Sequence, residues 1–275
     1  MVFKVTLRIE DSRHSLLPLN YHYPIASHIF RMMRESQRAD SSILHTIGYG
    51  ANRYKLFTFS DIDVSFVRKG DRMQLREETA SLKVCFHLPE TAQQFLKRLL
   101  NDSQMTIGDR KSWVHFKVQE VSSHLINLKA RDGEMVSMMV KPISPIVVCS
   151  AREGKSHINW LYHSPDEKLF AERIKFNWMQ KYRVVFAPTT EQFEAMDRKV
   201  KTELEFFSNP PIKRIMTIKE GTAEEHKIRG YKRFGVKLTA PKEMIELALN
   251  TGLGIKNSIG MGCVEPTHSA LIALS

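Results

Sequence analysis

The order of elements along the chain predicts an α+β fold built as two tandem βαββαβ, ferredoxin-like (RRM-like) halves, residues 1–140 and 141–275. Three observations carry this. Runs such as residues 2–9 and 226–238 alternate apolar and polar side chains with the period of two that marks a half-buried strand. Between the strand-like runs lie amphipathic segments opened by Pro24, Pro89 and Pro165 or by the Thr189/Gln192 pair, which are helix-start signals. The halves share this order of elements without any repeat of fixed period.

In the first half, residues 2–9 set valine and leucine against Lys4 and Arg8, and residues 15–20 read as a loop. Pro24 opens a helix to Glu35 with Ile25, Ile29, Met32 and Met33 in one stripe and Ala26, Phe30 and Met33 along its edge. A short helix is predicted at 40–44, ending at His45, then glycines 48 and 50, then strands at 54–59 and 76–88. Pro89-Glu90 starts a helix with Ala92, Phe95, Leu96 and Leu99 inward, followed by strands at 113–121 and 135–140.

The second half begins with an apolar strand at 144–149. Ser164-Pro165-Asp166-Glu167 reads as a capping box opening a helix with Phe170, Ile174 and Trp178 inward. A strand-like run follows at 182–187, then a capped helix from Thr189 with Phe193, Met196, Val200 and Leu204 inward. Residues 212–218 and 226–238 read as strands, 241–249 as a helix, and 262–265 as a last strand.

The chain has 275 residues, 41 Lys+Arg against 30 Asp+Glu, and a net charge of +11. Residues 1–140 carry 20 basic and 15 acidic side chains, and 141–275 carry 21 and 15. The excess is spread over both halves, which suits a basic surface on folded units that meets a polyanion. The cysteines Cys85, Cys149 and Cys263 stand singly, without metal-finger spacing, and read as buried thiols in a reducing compartment. No apolar run reaches the roughly 18–20 residues that span a bilayer, and the strand-like N-terminus differs from a signal peptide, so a cytoplasmic protein is expected.

Two stretches have the composition of a nucleic-acid surface. Arg229, Tyr231, Arg233 and Lys237 share one face of the 226–238 run, where the cations suit phosphates and Tyr231 could stack on a base; a solvated sheet face has the same composition. Residues 251–262 place Gly252, Gly254, Gly260 and Gly262 around Lys256, Asn257 and Ser258. Glycines let backbone N–H groups converge on an anion, although neither common phosphate-loop pattern fits and a tight helix-to-strand connection would look the same. His45, between a helix and a glycine-bearing loop, suits proton transfer near neutral pH. Lys55, heading a strand ten residues on, suits stabilisation of a charged phosphate. No histidine cluster has metal-ligand spacing and no Gly-x-Ser-x-Gly elbow occurs, so neither a metal site nor any other cofactor is expected.

These pieces resemble the CRISPR-associated repeat-RNA endoribonucleases, the sixth Cas family of the RAMP superfamily. The resemblance runs through Asn20-Tyr21-His22-Tyr23-Pro24, Ile43-Leu44-His45, the 54–59 strand, Pro142-Ile143-Ser144-Pro145-Ile146-Val147-Val148 and the glycine loop, its most specific block. It implies tandem ferredoxin-like domains and metal-independent cleavage of CRISPR precursor RNA through attack of a 2′-hydroxyl. It also implies CRISPR repeat RNA as partner, with other Cas proteins of an effector complex and a homodimer as family options, and no membrane. Family members share the chemistry among a histidine, a lysine and a first-helix tyrosine, which fall here on His45, Lys55 and Phe30. Phe30 departs from the pattern because it carries no exchangeable proton. A repeat-RNA-binding or structural subunit without catalysis and a generic single-strand RNA binder are the competing expectations.

Overall fold

The structure, a computed structural model, describes residues 1–11, 14–35, 54–124, 128–152, 159–218, 223, 225–267 and 272–273. It divides into two compact units, Met1–Leu125 with Ser258–Gly260, and Ile126–Asn257 with Met261–Ser275. The division therefore falls before residue 140, where the sequence had suggested it.

The first unit contains β1 (Val2–Ile9), β2 (Leu16–Pro18), α1 (His22–Glu35), β3 (Phe57–Phe59), β4 (Phe66–Lys69), β5 (Arg72–Leu75), β6 (Thr79–Phe86), α2 (Pro89–Asn101), β7 (Gln104–Gly108) and β8 (Trp113–His124). The main sheet runs β3-β6-β1-β8-β7, all antiparallel. If β1, β3, β6 and β8 are the four strands of a βαββαβ unit, their order in space is second, third, first, fourth, with α1 and α2 as the two crossovers. The alternation of β1 does what the sequence implied: Phe3, Val5 and Leu7 are buried while Lys4 and Arg8 are exposed. α1 buries Ile25, Ile29, Met32 and Met33, and α2, with proline in its first turn, buries Ala92, Phe95 and Leu99. Phe95 meets Phe86 at 5.1 Å between centroids. Each such side chain removed from water contributes about 1.5–3 kcal/mol. A small side sheet, β2-β5-β4, takes in Leu16–Pro18, which the sequence pattern had left as loop, and two strands in a stretch it had not assigned.

The second unit contains β9 (Met135–Pro142), β10 (Cys149–Arg152), β11 (Asn159–Tyr162), α3 (Lys168–Phe186), α4 (Thr190–Lys199), β12 (Lys201–Glu205), β13 (Ile212–Ile218), β14 (His226–Lys232), β15 (Gly235–Pro241), α5 (Lys242–Thr251), β16 (Val264–Pro266) and β17 (Ile272–Ala273). Its sheet order, β12-β15-β9-β16, is again second, third, first, fourth, and α3 and α5 are the crossovers. β9, expected as the last strand of the first half, is the first strand of the second: it pairs with β15, β16 and β17. Hairpins β10-β11 and β13-β14 are insertions on this plan.

Several local expectations change. Residues 182–186 continue α3 as helix, because Tyr182 packs into the core and the helix stops only at the left-handed Ala187 (φ 45°). Residues 164–167 form a turn ahead of α3 rather than its cap: the Ser164 N–H donates to Glu167 Oε1 at 2.9 Å, and no side chain caps the helix. The Thr189 capping box is complete, yet α4 ends at Lys199 and Leu204 lies on β12. The 226–238 run is two strands broken at Arg233, whose φ is 67°. The strand expected at 144–149 is replaced by isolated bridges, Ile146 with Tyr231 and Val147 with Ile255, and only Cys149 lies on a strand, at the start of β10. The helix expected at 40–44 lies outside the described residues.

Candidate active site and nucleic-acid interface

Lys55 is half-buried at the head of β3. Leu56, next to it, is 5 % exposed and has φ 51°, a left-handed conformation that costs a branched side chain about 1–2 kcal/mol. It turns the chain between Lys55 and Phe57, whose β-ladder partner is Phe86. Beside this kink the His87 N–H donates to the Leu56 carbonyl at 3.1 Å. Burial, and next the N-terminal ammonium, hold the His87 imidazole below its usual pKa. That ammonium donates to the Phe86 carbonyl at 2.7 Å. Phe30 meets Phe57 edge-on at 5.4 Å and packs against the first core. Its role is apolar packing. Tyr21, close to Phe30 in sequence, is 2 % exposed and stacks on His22. His45 lies outside the described residues, so its distance from Lys55 is not part of this geometry.

The glycine loop is packed rather than open. Gly252, Gly254, Gly260 and Gly262 all have positive φ and are buried. A Cβ on Gly262 would lie 1.9 Å from the Leu253 carbonyl, and one on Gly254 would lie 2.4 Å from the Val147 carbonyl. In the first unit, a Cβ on Gly260 would lie 2.3 Å from the Phe59 ring. The loop also spends N–H groups on its own chain: Leu253 donates to Gly262, Ile255 to Val147 and Gly262 to Pro145, each at 2.8 or 2.9 Å. Asn257 ties the two limbs together, its Nδ2 donating to the Leu253 and Met261 carbonyls at 3.0 and 2.9 Å. Ser258 is half-buried, and Lys256, at φ 63°, is the loop's exposed residue.

Sequence reading missed what holds the loop. Lys181, fully buried on α3, donates to the Thr251 carbonyl at 3.2 Å, the Gly252 carbonyl at 2.6 Å and Asn257 Oδ1 at 2.8 Å. Three acceptors match the three protons of an ammonium, and two are carbonyls at the negative end of α5. Burial pulls its pKa down to about 7. One lysine thus fixes the helix end and, through Asn257, the loop. No motif marks it, because its acceptors lie 70–76 residues away in the chain.

On the basic stripe, Arg229, Arg233 and Lys237 are exposed, as the alternation implied. Tyr231 is not. It is 7 % exposed, lies edge-on to Phe170 at 6.1 Å, and exchanges backbone hydrogen bonds with Ile146, so its ring faces core and has no free face for a base. Lys237 lies 3.5 Å from Glu203, which offsets part of its charge. Among the described residues no carboxylate comes within ion-pair range of Arg229, Arg233 or Lys256. Among the described residues, no helix is long and apolar enough to cross a membrane.

Residues 126–266 match the family described as CRISPR associated protein Cas6, C-terminal, and residues 16–122 match CRISPR-associated protein Cas6, N-terminal. Over 266 residues the chain is 23% identical to a protein of Methanocaldococcus jannaschii named CRISPR-associated endoribonuclease Cas6 1, covering 95% of this chain and 91% of that one. A solved structure titled CRISPR associated protein Cas6 superposes with a TM-score of 0.71 at 22% identity over 98% of this chain and 99% of the other. A Cas6-related protein from Pyrococcus furiosus superposes with a TM-score of 0.77 at 18% identity, covering 98% of each chain. With both halves matched and the doubled βαββαβ order in place, the chain belongs to the Cas6 family of CRISPR-associated proteins.

Proposed function

We propose that this protein is an endoribonuclease that cuts CRISPR precursor RNA within its repeats to release crRNA. Membership of the Cas6 family through both halves carries the reading. The M. jannaschii relative's name, an endoribonuclease, supports it. In the reaction, a ribose 2′-oxygen bonds to the adjacent phosphorus as the P–O5′ bond breaks. The 2′-hydroxyl proton goes to a base and the 5′-oxygen receives one, leaving a 2′,3′-cyclic phosphate and a 5′-hydroxyl. His45 carries the proton transfer and Lys55 stabilises the charged phosphorane. No metal ion takes part. Arg229, Arg233, Lys237 and the glycine loop, above all Lys256, hold the RNA. The enzyme works in the cytoplasm, and its crRNA product passes to other Cas proteins of an effector complex. Self-association as a homodimer remains part of the reading.

The test is repeat RNA incubated with the protein in EDTA. A product with a 5′-hydroxyl end is expected, and absence of cutting would sink the nuclease reading. His45→Ala is expected to slow single-turnover cleavage about 10²–10⁴-fold, and cutting at the wild-type rate would remove His45 from the mechanism. Lys55→Ala is expected to cost about 10²–10³-fold. One observation favours a second reading, a subunit that binds repeat RNA without cutting: the residue at the family tyrosine's place, Phe30, has its ring in the core. Tight repeat binding without any product would support it.

A further inference from the structure

The segment of residues 146–149 is a backbone spine on which three parts of the second unit dock. Ile146 bridges to Tyr231 at the end of β14, Val147 to Ile255 in the glycine loop, and Cys149 to Tyr162 on β11. Arg229 stands two residues before Tyr231, and Lys256 directly follows Ile255. The spine therefore brings two exposed cations, Arg229 and Lys256, toward the Cys149–Tyr162 pair. Electrostatics agree with this placement. Burial raises the Cys149 thiol's pKa, and Lys256 and Arg173 oppose the rise. Burial and then Cys149 raise the Tyr162 hydroxyl's pKa, and Arg229 opposes it.

On the same strand Trp160 lies two residues from Tyr162, so both rings project from one face of the hairpin. Their cross-strand partners are small, Ala151 and Cys149. Trp160 is 57% exposed and Tyr162 half-buried. Nothing in the fold requires a tryptophan there: it is the most exposed large aromatic among the described residues. Two rings on a ladder with cations at one end are what unpaired nucleotides need, since every base offers a face to stack and every linkage a phosphate.

We propose that the β10-β11 hairpin is a stacking platform for single-stranded RNA, with Trp160 and Tyr162 under successive bases and Arg229 and Lys256 on the phosphates. This gives β11 the aromatic role that the sequence pattern had assigned to the buried Tyr231. The proposal rests on the RNA-cleaving reading above and adds a subsite to it.

The test uses repeat RNA methylated at every 2′-oxygen, so that it cannot be cut, with 2-aminopurine placed at successive positions. On binding wild-type protein, fluorescence should be quenched at one or two adjacent positions. Trp160→Ala and Tyr162→Ala should abolish that quench and weaken Kd about tenfold each, whereas Trp160→Phe and Tyr162→Phe should keep both. Arg229→Ala and Lys256→Ala should each lower the slope of log Kd against log salt by about 0.7. Alanine variants that bind within about twofold of wild type with the quench intact would overturn the proposal, as they would if the hairpin served a protein partner instead. Wild-type protein that bound no repeat RNA would overturn the parent reading as well.

Discussion

At the scale of the residue, Lys181 has the largest effect that a local reading overlooks. Replacing it with methionine keeps the length and takes the shared donor away from two backbone carbonyls and the Asn257 amide oxygen. Lys181→Met should cost about 1–3 kcal/mol in urea unfolding. The pH dependence has a definite sign. The folded-state pKa of about 7 lies below the ordinary lysine value of 10.5, so between these the unfolded chain binds more protons. Wild-type stability relative to Lys181→Met should therefore rise as pH goes from about 7 toward 10.5 and be flat below that window. Tyr231 yields a second prediction. Because its ring is enclosed, Tyr231→Ala should destabilise the fold by about 3–5 kcal/mol, seen as a lower unfolding midpoint. The sequence showed which side chains are chemically able to meet RNA. It did not show which of them tertiary packing had already used, and Tyr231 is such a case.

At the scale of the element, local signals located what local physics decides. Thr189 and Gln192 make the predicted reciprocal cap, Pro89 opens α2, and the alternation of β1 matches its burial. The failures share a cause. α3 runs through Val184-Val185, which prefer strand, because Tyr182 and the turns before it are pinned by the core. The β14-β15 break is set by a single left-handed arginine, and no periodicity marks it. The glycine loop was legible as an element, but its openness was not. Its glycines serve close approach of the chain to itself, so Gly262→Ala should cost at least about 2 kcal/mol in thermal unfolding, from a Cβ forced against the Leu253 carbonyl and from left-handed strain. A loop built as an open anion cradle would tolerate alanine far better.

At the scale of the whole molecule, charge suits a polyanionic partner, and the cores give the fold. Each unit has its own apolar cluster beneath its own antiparallel sheet. The doubled order of second, third, first and fourth strand was predictable from alternating strands and helices. The boundary was not, because β9 carries the same apolar pattern whichever sheet it joins. The +11 net charge implies affinity that depends on salt. If about five phosphates are neutralised, log K for single-stranded repeat RNA should fall with log salt at a slope of about −3.5, measurable by anisotropy titration. A slope near zero would assign the basic excess to solubility alone.

The clamp at Asn257 also bears on how the protein ages. Asn257 precedes Ser258, a pair whose amide is open to slow hydrolysis at high temperature. Here the amide nitrogen is held by the Leu253 and Met261 carbonyls and the oxygen by Lys181. An aspartate at this place would set carboxylate oxygens against two carbonyls and hand Lys181 a full counter-charge. The loop's chemical lifetime and its geometry thus depend on the same amide. On prolonged heating, deamidation at Asn257 should lag behind that of the same peptide in the unfolded chain, and where it does occur the loop should loosen first.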